Sequence, residues 1–121
     1  MGPILIVDDE FGILEVVQDL LSDEGYPTAI APNGLLALEQ MMRVRPSLVL
    51  LDYMMPVLNG PGLLEAMRKD PALRGVPTVL MSASNSERWR NLVCSGFLPK
   101  LFTLKQLLAQ VHKLVGPPPG K

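Results

Sequence analysis

Apolar runs that end abruptly on polar residues punctuate the chain. Ile4-Leu5-Ile6-Val7 runs into Asp8-Asp9-Glu10, Leu48-Val49-Leu50-Leu51 into Asp52, and Pro77-Thr78-Val79-Leu80-Met81 into Ser82. A shorter run, Phe97-Leu98-Pro99, ends at Lys100. Runs without polar alternation suit strands buried on both faces, which are normally parallel. Tyr26 to Ala31 is less apolar and reads as a second strand, at an edge of the sheet.

Between these runs the apolar positions recur at three- and four-residue spacings, as on one face of a helix. Ile13, Val16, Val17, Leu20 and Leu21 predict a first helix closed by Gly25. Leu38, Met41 and Met42 mark a second, begun near Asn33-Gly34 and ended by Arg45-Pro46. Leu63, Leu64 and Met67 mark a third, and a weak fourth is expected around Glu87 to Val93. The last, Thr103 to Val115, has Thr103 as its N-cap and Leu104, Leu107, Leu108, Val111 and Leu114 as its buried stripe.

Strand and helix alternate five times, which predicts an α/β fold with right-handed crossovers. Five strands suit a doubly wound, flavodoxin-like parallel sheet in the order 2-1-3-4-5, with helices on both faces. Residues 1–115 form this one domain. Residues 116–121, Gly-Pro-Pro-Pro-Gly-Lys, read as a polyproline-type spacer, either a free end or a linker stub.

Composition narrows the setting. The chain has 121 residues, 48% of them hydrophobic, enough for one domain with its own core. No apolar stretch is long enough to span a membrane, and no basic region precedes the first strand as in a signal peptide. The single cysteine, Cys94, fits a reducing, cytoplasmic setting and reads as a small apolar residue. The net charge of −1 gives no global attraction to nucleic acid. His112, in the last helix, reads as a surface residue.

In the predicted order strands one and three are neighbours, so Asp8, Asp9 and Asp52 converge at the carboxyl edge of the sheet. Ser82 and Lys100 arrive there from strands four and five. Crowded carboxylates repel one another, and a hard divalent cation removes that conflict. Oxygen-only ligands point to Mg²⁺, with Mn²⁺ as the alternative, rather than zinc. A lysine and a hydroxyl suit phosphoryl oxygens, and a carboxylate can accept a phosphoryl group covalently. Asp52 is the candidate acceptor.

With these residues in place the chain resembles the receiver domains of two-component response regulators over roughly residues 3 to 115. The resemblance rests on Ile4 to Glu10, Asn33-Gly34 with Ala37-Leu38, Pro46 with Leu48 to Asp52, Met55-Pro56 with Asn59-Gly60, Ser82-Ala83 and Lys100. It implies that Asp52 takes a phosphoryl group from the phosphohistidine of a histidine kinase or of a phosphotransfer protein. It implies that Asp9, Asp52 and the Met54 carbonyl ligate Mg²⁺ directly, with Asp8 assisting, and that Lys100 and Ser82 contact the phosphoryl oxygens. Ser82 and the aromatic Phe97 would form the switch, altering the face made by the fourth helix, the fifth strand and the last helix. The signal would pass to a downstream protein or an attached effector domain, or through a phosphorylation-dependent homodimer. The domain itself would touch neither nucleic acid nor membrane.

The sequence departs from the family's pattern at three places. Leu101 stands where the family usually has a proline joined by a cis bond. A cis bond to leucine costs about 2.5–4 kcal/mol, so a trans Lys100–Leu101 bond and a displaced loop are expected. The interval from Ser82 to Phe97 is about one helical turn shorter than usual, which predicts a short or irregular fourth helix carrying Trp89. Met54 and Ser84 offer no carboxylate or amide to orient an attacking water, which predicts slow self-dephosphorylation.

Three other readings compete. A degenerate receiver serving as a phosphorylation-independent docking module is opposed by the intact Asp8, Asp9, Asp52, Ser82 and Lys100. A hydrolase of the haloacid dehalogenase type needs a second aspartate at the position of Met54. A flavin or nucleotide site wants a glycine-rich first turn, where this chain has Asp8-Asp9-Glu10.

Overall fold

The computed structural model describes residues 1–55, 57–82 and 94–119. Its strands are β1 (Ile4–Val7), β2 (Thr28–Ala31), β3 (Leu48–Asp52), β4 (Thr78–Ser82) and β5 (Gly96–Pro99). The helices among the described residues are α1 (Phe11–Asp23), α2 (Gly34–Arg43), α3 (Gly60–Lys69) and α4 (Leu104–Val115). All strand pairs are parallel, and the order is β2-β1-β3-β4-β5, as the alternation predicts. The expectation of a short helix around residues 87–93, with Trp89 and Ser84, lies outside the described residues.

The unbroken apolar runs are explained by burial on both sides: every residue of β1, β3 and β4 is buried. Alternate side chains then divide into two cores, as the pleat requires. Leu5, Val7, Val49, Leu51 and Leu80 pack with Ala37 and Met41 of α2 and Leu63 and Met67 of α3. Ile4, Ile6, Leu48, Leu50, Val79 and Met81 pack with Leu14, Val17 and Leu21 of α1 and Leu107 and Val111 of α4.

Some expected core positions turn outward. Val16 is exposed, because the α1 residues that reach the sheet are Leu14, Val17 and Leu21. Met42 and Leu104 are exposed as well, each at the rim of its helix's apolar stripe. The caps follow the sequence closely. Asn33, Asn59 and Thr103 each accept a hydrogen bond from a first-turn N–H, and Thr103 with Gln106 completes a reciprocal capping box.

The start of the proline-rich tail packs on the domain. The Tyr26 hydroxyl donates to the Gly116 carbonyl at 2.7 Å, and Pro118 is buried. No cis peptide bond occurs among the described residues, so Lys100–Leu101 is trans. Leu101 is fully exposed and sits in the left-handed region at φ 66°.

Candidate functional site

Strand register brings the acidic residues together. Val7 pairs with Leu51, so Asp8 and Asp52 leave adjacent strands side by side. Asp52 pairs with Met81, and Ser82 pairs with Pro99, which places Ser82 and Lys100 at the same carboxyl edge. The Lys100 N–H donates to the Ser82 carbonyl at 2.7 Å, tying the two strand ends together.

The carboxylate oxygens of Asp8, Asp9 and Asp52 lie within 4.8 Å of one another. Asp8 and Asp52 are buried and Asp9 is exposed, so the cluster opens to solvent on the Asp9 side. Lys100 Nζ sits 3.1 Å from Asp8 Oδ2, 3.3 Å from Asp52 Oδ1 and 3.5 Å from Glu10 Oε1. One ammonium thus faces three carboxylates, and a fourth stands beside them. The backbone N–H of Glu10 donates to Asp8 Oδ1 at 2.9 Å, but Asp8 Oδ2, although ion-paired, is buried without a hydrogen bond.

The titration behaviour follows from this crowding. Burial pushes the Asp52 carboxyl up to about 6, and the neighbouring Asp8 charge adds to it. Lys100 and the Met54 N–H oppose that rise without cancelling it. Asp8 is also raised, chiefly by burial, against the Glu10 N–H and Lys100. Burial alone would lower the Lys100 ammonium, but Asp8 and Asp52 outweigh it and its pKa rises.

Charge is therefore unbalanced at the edge, and a buried carboxylate oxygen lacks a hydrogen bond. An oxygen-only donor set of this kind fits a hard divalent cation such as Mg²⁺. Asp8, Asp9 and Asp52 would hold it.

The remaining predicted residues occupy nearby places. Ser82 is buried at the end of β4. Phe97, in the middle of β5, is half-buried and packs against the core shared with α2 and α3. Met54 is exposed in the loop after β3. Glu10 was not among the predicted site residues. Its only sequence signal is its place in the acidic triplet, and its pairing with Lys100 depends on how α1 begins.

Comparison with known proteins bears on the family and the fold. The family model described as response regulator receiver domain matches residues 4–112. The chain is 40% identical over 113 residues to the DNA-binding response regulator MtrA of Mycobacterium leprae, covering 90% of this chain and 49% of that protein. It is 30% identical over 116 residues to the probable transcriptional regulator ycf29 of Pyropia yezoensis, covering 93% and 52%. The chain thus spans about half the length of the curated relatives it matches. Among solved structures, Vibrio cholerae chemotaxis protein CheY4 superposes with a TM-score of 0.89 at 26% identity, covering 95% of this chain and 99% of that one. The signal receiver domain of a signal transduction histidine kinase from Syntrophus aciditrophicus gives 0.88 at 28% identity, covering 95% and 90%.

Proposed function

Because the chain belongs to the response regulator receiver domain family, we propose that it accepts a phosphoryl group on Asp52 from a phosphohistidine, with Mg²⁺ bound by Asp8, Asp9 and Asp52 and by the Met54 carbonyl. The observation that carries this reading is the placement of Lys100 Nζ within 3.3 Å of both Asp8 and Asp52, beside three mutually close carboxylates. One ammonium shared among Asp8, Glu10 and Asp52 leaves the site short of positive charge, which a bound divalent cation would supply before a phosphoryl group enters.

In the proposed transfer an Asp52 carboxylate oxygen attacks phosphorus, the phosphorus–nitrogen bond breaks, and its electron pair returns to the donor imidazole. Phosphoryl transfer asks the protein mainly for alignment and charge neutralisation. Lys100 supplies a fixed positive charge to the incoming oxygens, and the Ser82 hydroxyl supplies a hydrogen bond to one of them. Mg²⁺, when bound, neutralises further negative charge on the acids and the phosphoryl oxygens. The phosphohistidine belongs to a histidine kinase or a phosphotransfer protein. A cleft of about 460 Å³, lined by Ile13, Val17, Leu20, Lys100, Leu101 and Phe102 among others, opens beside the site and offers such a donor a largely apolar seat.

Phosphorylation then draws Ser82 toward the phosphoryl group and Phe97 further inward. This shifts a two-state equilibrium at the face that includes β5 and α4. The output is a downstream protein, an effector domain joined to the receiver, or a homodimer, in a cytoplasmic setting. Met54, exposed and without a carboxylate or amide, leaves an attacking water unoriented, so the phosphoryl group is lost slowly.

The test is incubation with acetyl phosphate in Mg²⁺ followed by intact-mass measurement. The wild type should gain one phosphoryl group, and Asp52→Asn none. An unmodified wild type, or equal modification of both proteins, overturns the proposal, and the former favours a docking module.

A further inference from the structure

We infer that Gly34, on a helix that contributes no atom to the acidic site, is a positioning residue for the loop that carries Met54; the inference rests on the metal-assisted reading above. A loop joins Asp52 to α3 and includes Tyr53–Met55 and Val57–Asn59. Two of its residues, Val57 and Leu58, adopt φ values of 53° and 63°. Left-handed conformations are uncommon for residues with a Cβ, and a β-branched side chain makes Val57 a clear outlier. Such backbone persists only where its surroundings over-determine it.

The surroundings are two helix N-termini, each begun by an Asn-Gly pair. A Cβ on Gly34 would overlap the Leu58 carbonyl oxygen and would lie 3.1 Å from both the Leu58 carbonyl carbon and its Cβ. A Cβ on Gly60 would lie 2.8 Å from the Asp52 carbonyl oxygen and 3.0 Å from the Tyr53 Cα. The Gly60 N–H donates to the Tyr53 carbonyl at 3.2 Å. The loop is thus pinned at its far end by α2 and at its near end by α3, through backbone contacts that cannot yield by rotating a side chain. Between those pins lies Met54, whose N–H lowers the Asp52 pKa by hydrogen bonding and whose carbonyl is the proposed metal ligand. Gly34 sets where Leu58 stands, and through this short loop it sets how Met54 faces Asp52.

The test compares Gly34→Ala with Gly12→Ala, a control in α1 where an added Cβ meets nothing within 4 Å. Mn²⁺ alone is the probe, with affinity read by calorimetry and metal-free stability read by thermal unfolding. Gly34→Ala should bind Mn²⁺ roughly tenfold or more weakly, the range seen when groups that orient metal ligands are lost. Labelling by acetyl phosphate should recover at saturating metal, because Asp52, Ser82 and Lys100 are untouched. Gly12→Ala should match the wild type in Mn²⁺ affinity. If Gly34→Ala does not fold, Gly34→Ala/Leu58→Gly replaces it, since glycine at 58 lets the carbonyl swing clear; weakened Mn²⁺ affinity is again expected. Wild-type Mn²⁺ affinity in the folded variant overturns the inference, as does a labelling defect that saturating metal leaves unchanged. Failure of the phosphoacceptor reading shows separately, as a wild type that binds Mn²⁺ but is never labelled.

Discussion

Lys100 Nζ stands 3.3 Å from Asp52 Oδ1, with the lysine side chain only 12% exposed and that of Asp52 only 5%. The same ammonium is 3.1 Å from the fully buried Asp8, so its removal leaves two buried carboxylates without their nearest cation. Breaking a buried pair by deleting one partner is far more costly than losing a surface pair. Lys100→Met should therefore destabilise the metal-free protein by on the order of 3 kcal/mol at about pH 8. At about pH 5 the loss should be smaller, because Asp52, whose carboxyl lies at about 6, is then largely protonated and needs no counter-charge. Urea unfolding at the two pH values checks this, and an equal loss at both would contradict the charge argument.

Asp52 itself makes the metal-free protein sensitive to pH. Its folded pKa, about 6, lies above the ordinary value of 3.8. The folded state therefore binds the extra proton between those values, and stability falls as pH rises through that window. The benefit of the protonated form is complete below 3.8 and is lost above about 6. Asp52→Asn removes the part of the dependence due to Asp52 and should stabilise the metal-free protein above that window by roughly 1–3 kcal/mol, the size of a shift of this kind. Lost attraction to Lys100 offsets only part of the gain, because burial is the largest contribution to the shift. Thermal melts of both proteins in a chelator should diverge with rising pH. Mg²⁺ should narrow the gap by stabilising the wild type selectively.

Leu101 presents a different test. Its left-handed backbone and fully exposed side chain mean that Leu101→Gly removes strain without removing packing. The relief, about 1 kcal/mol, is offset by glycine's greater freedom in the unfolded chain, about 0.5–1 kcal/mol. Stability should stay nearly unchanged. Leu101→Pro, the residue most usual at this place in the family, should instead cost more than about 1 kcal/mol, because the ring holds φ near −65°. Chemical denaturation of the two variants separates these outcomes; a stabilising proline would show that the loop rearranges around it.

Much of this molecule was legible before any coordinates. The unbroken runs Ile4–Val7 and Leu48–Leu51 could be satisfied only by burial on both faces. Their abrupt ends at Asp8-Asp9 and at Asp52, with Ser82 and Lys100 closing two further runs, place five functional groups at one edge once the strand order is 2-1-3-4-5. The trans bond before Leu101 followed from the cost of the alternative. Capping by Thr103 followed from the chemistry of a hydroxyl at a helix start.

What the chain could not disclose alone were relations between distant segments. Periodicity marked Val16 as core, but only the seating of α1 on the sheet decided that Leu14, Val17 and Leu21 face inward. Nothing local to Glu10 predicts that Lys100, ninety residues away, will reach it. Tyr26 gives no hint of holding the Gly116 carbonyl, and Gly34 none of abutting Leu58. The raised pKa of Asp52 is likewise a tertiary property, produced by burial and by Asp8 arriving from the next strand. Hydrophobic period and strand-end chemistry are written residue by residue, so the sequence determined the fold class and the candidate acids. Close approach, burial and shared charge exist only after the chain has closed on itself, so the tertiary structure alone decided how those acids are held.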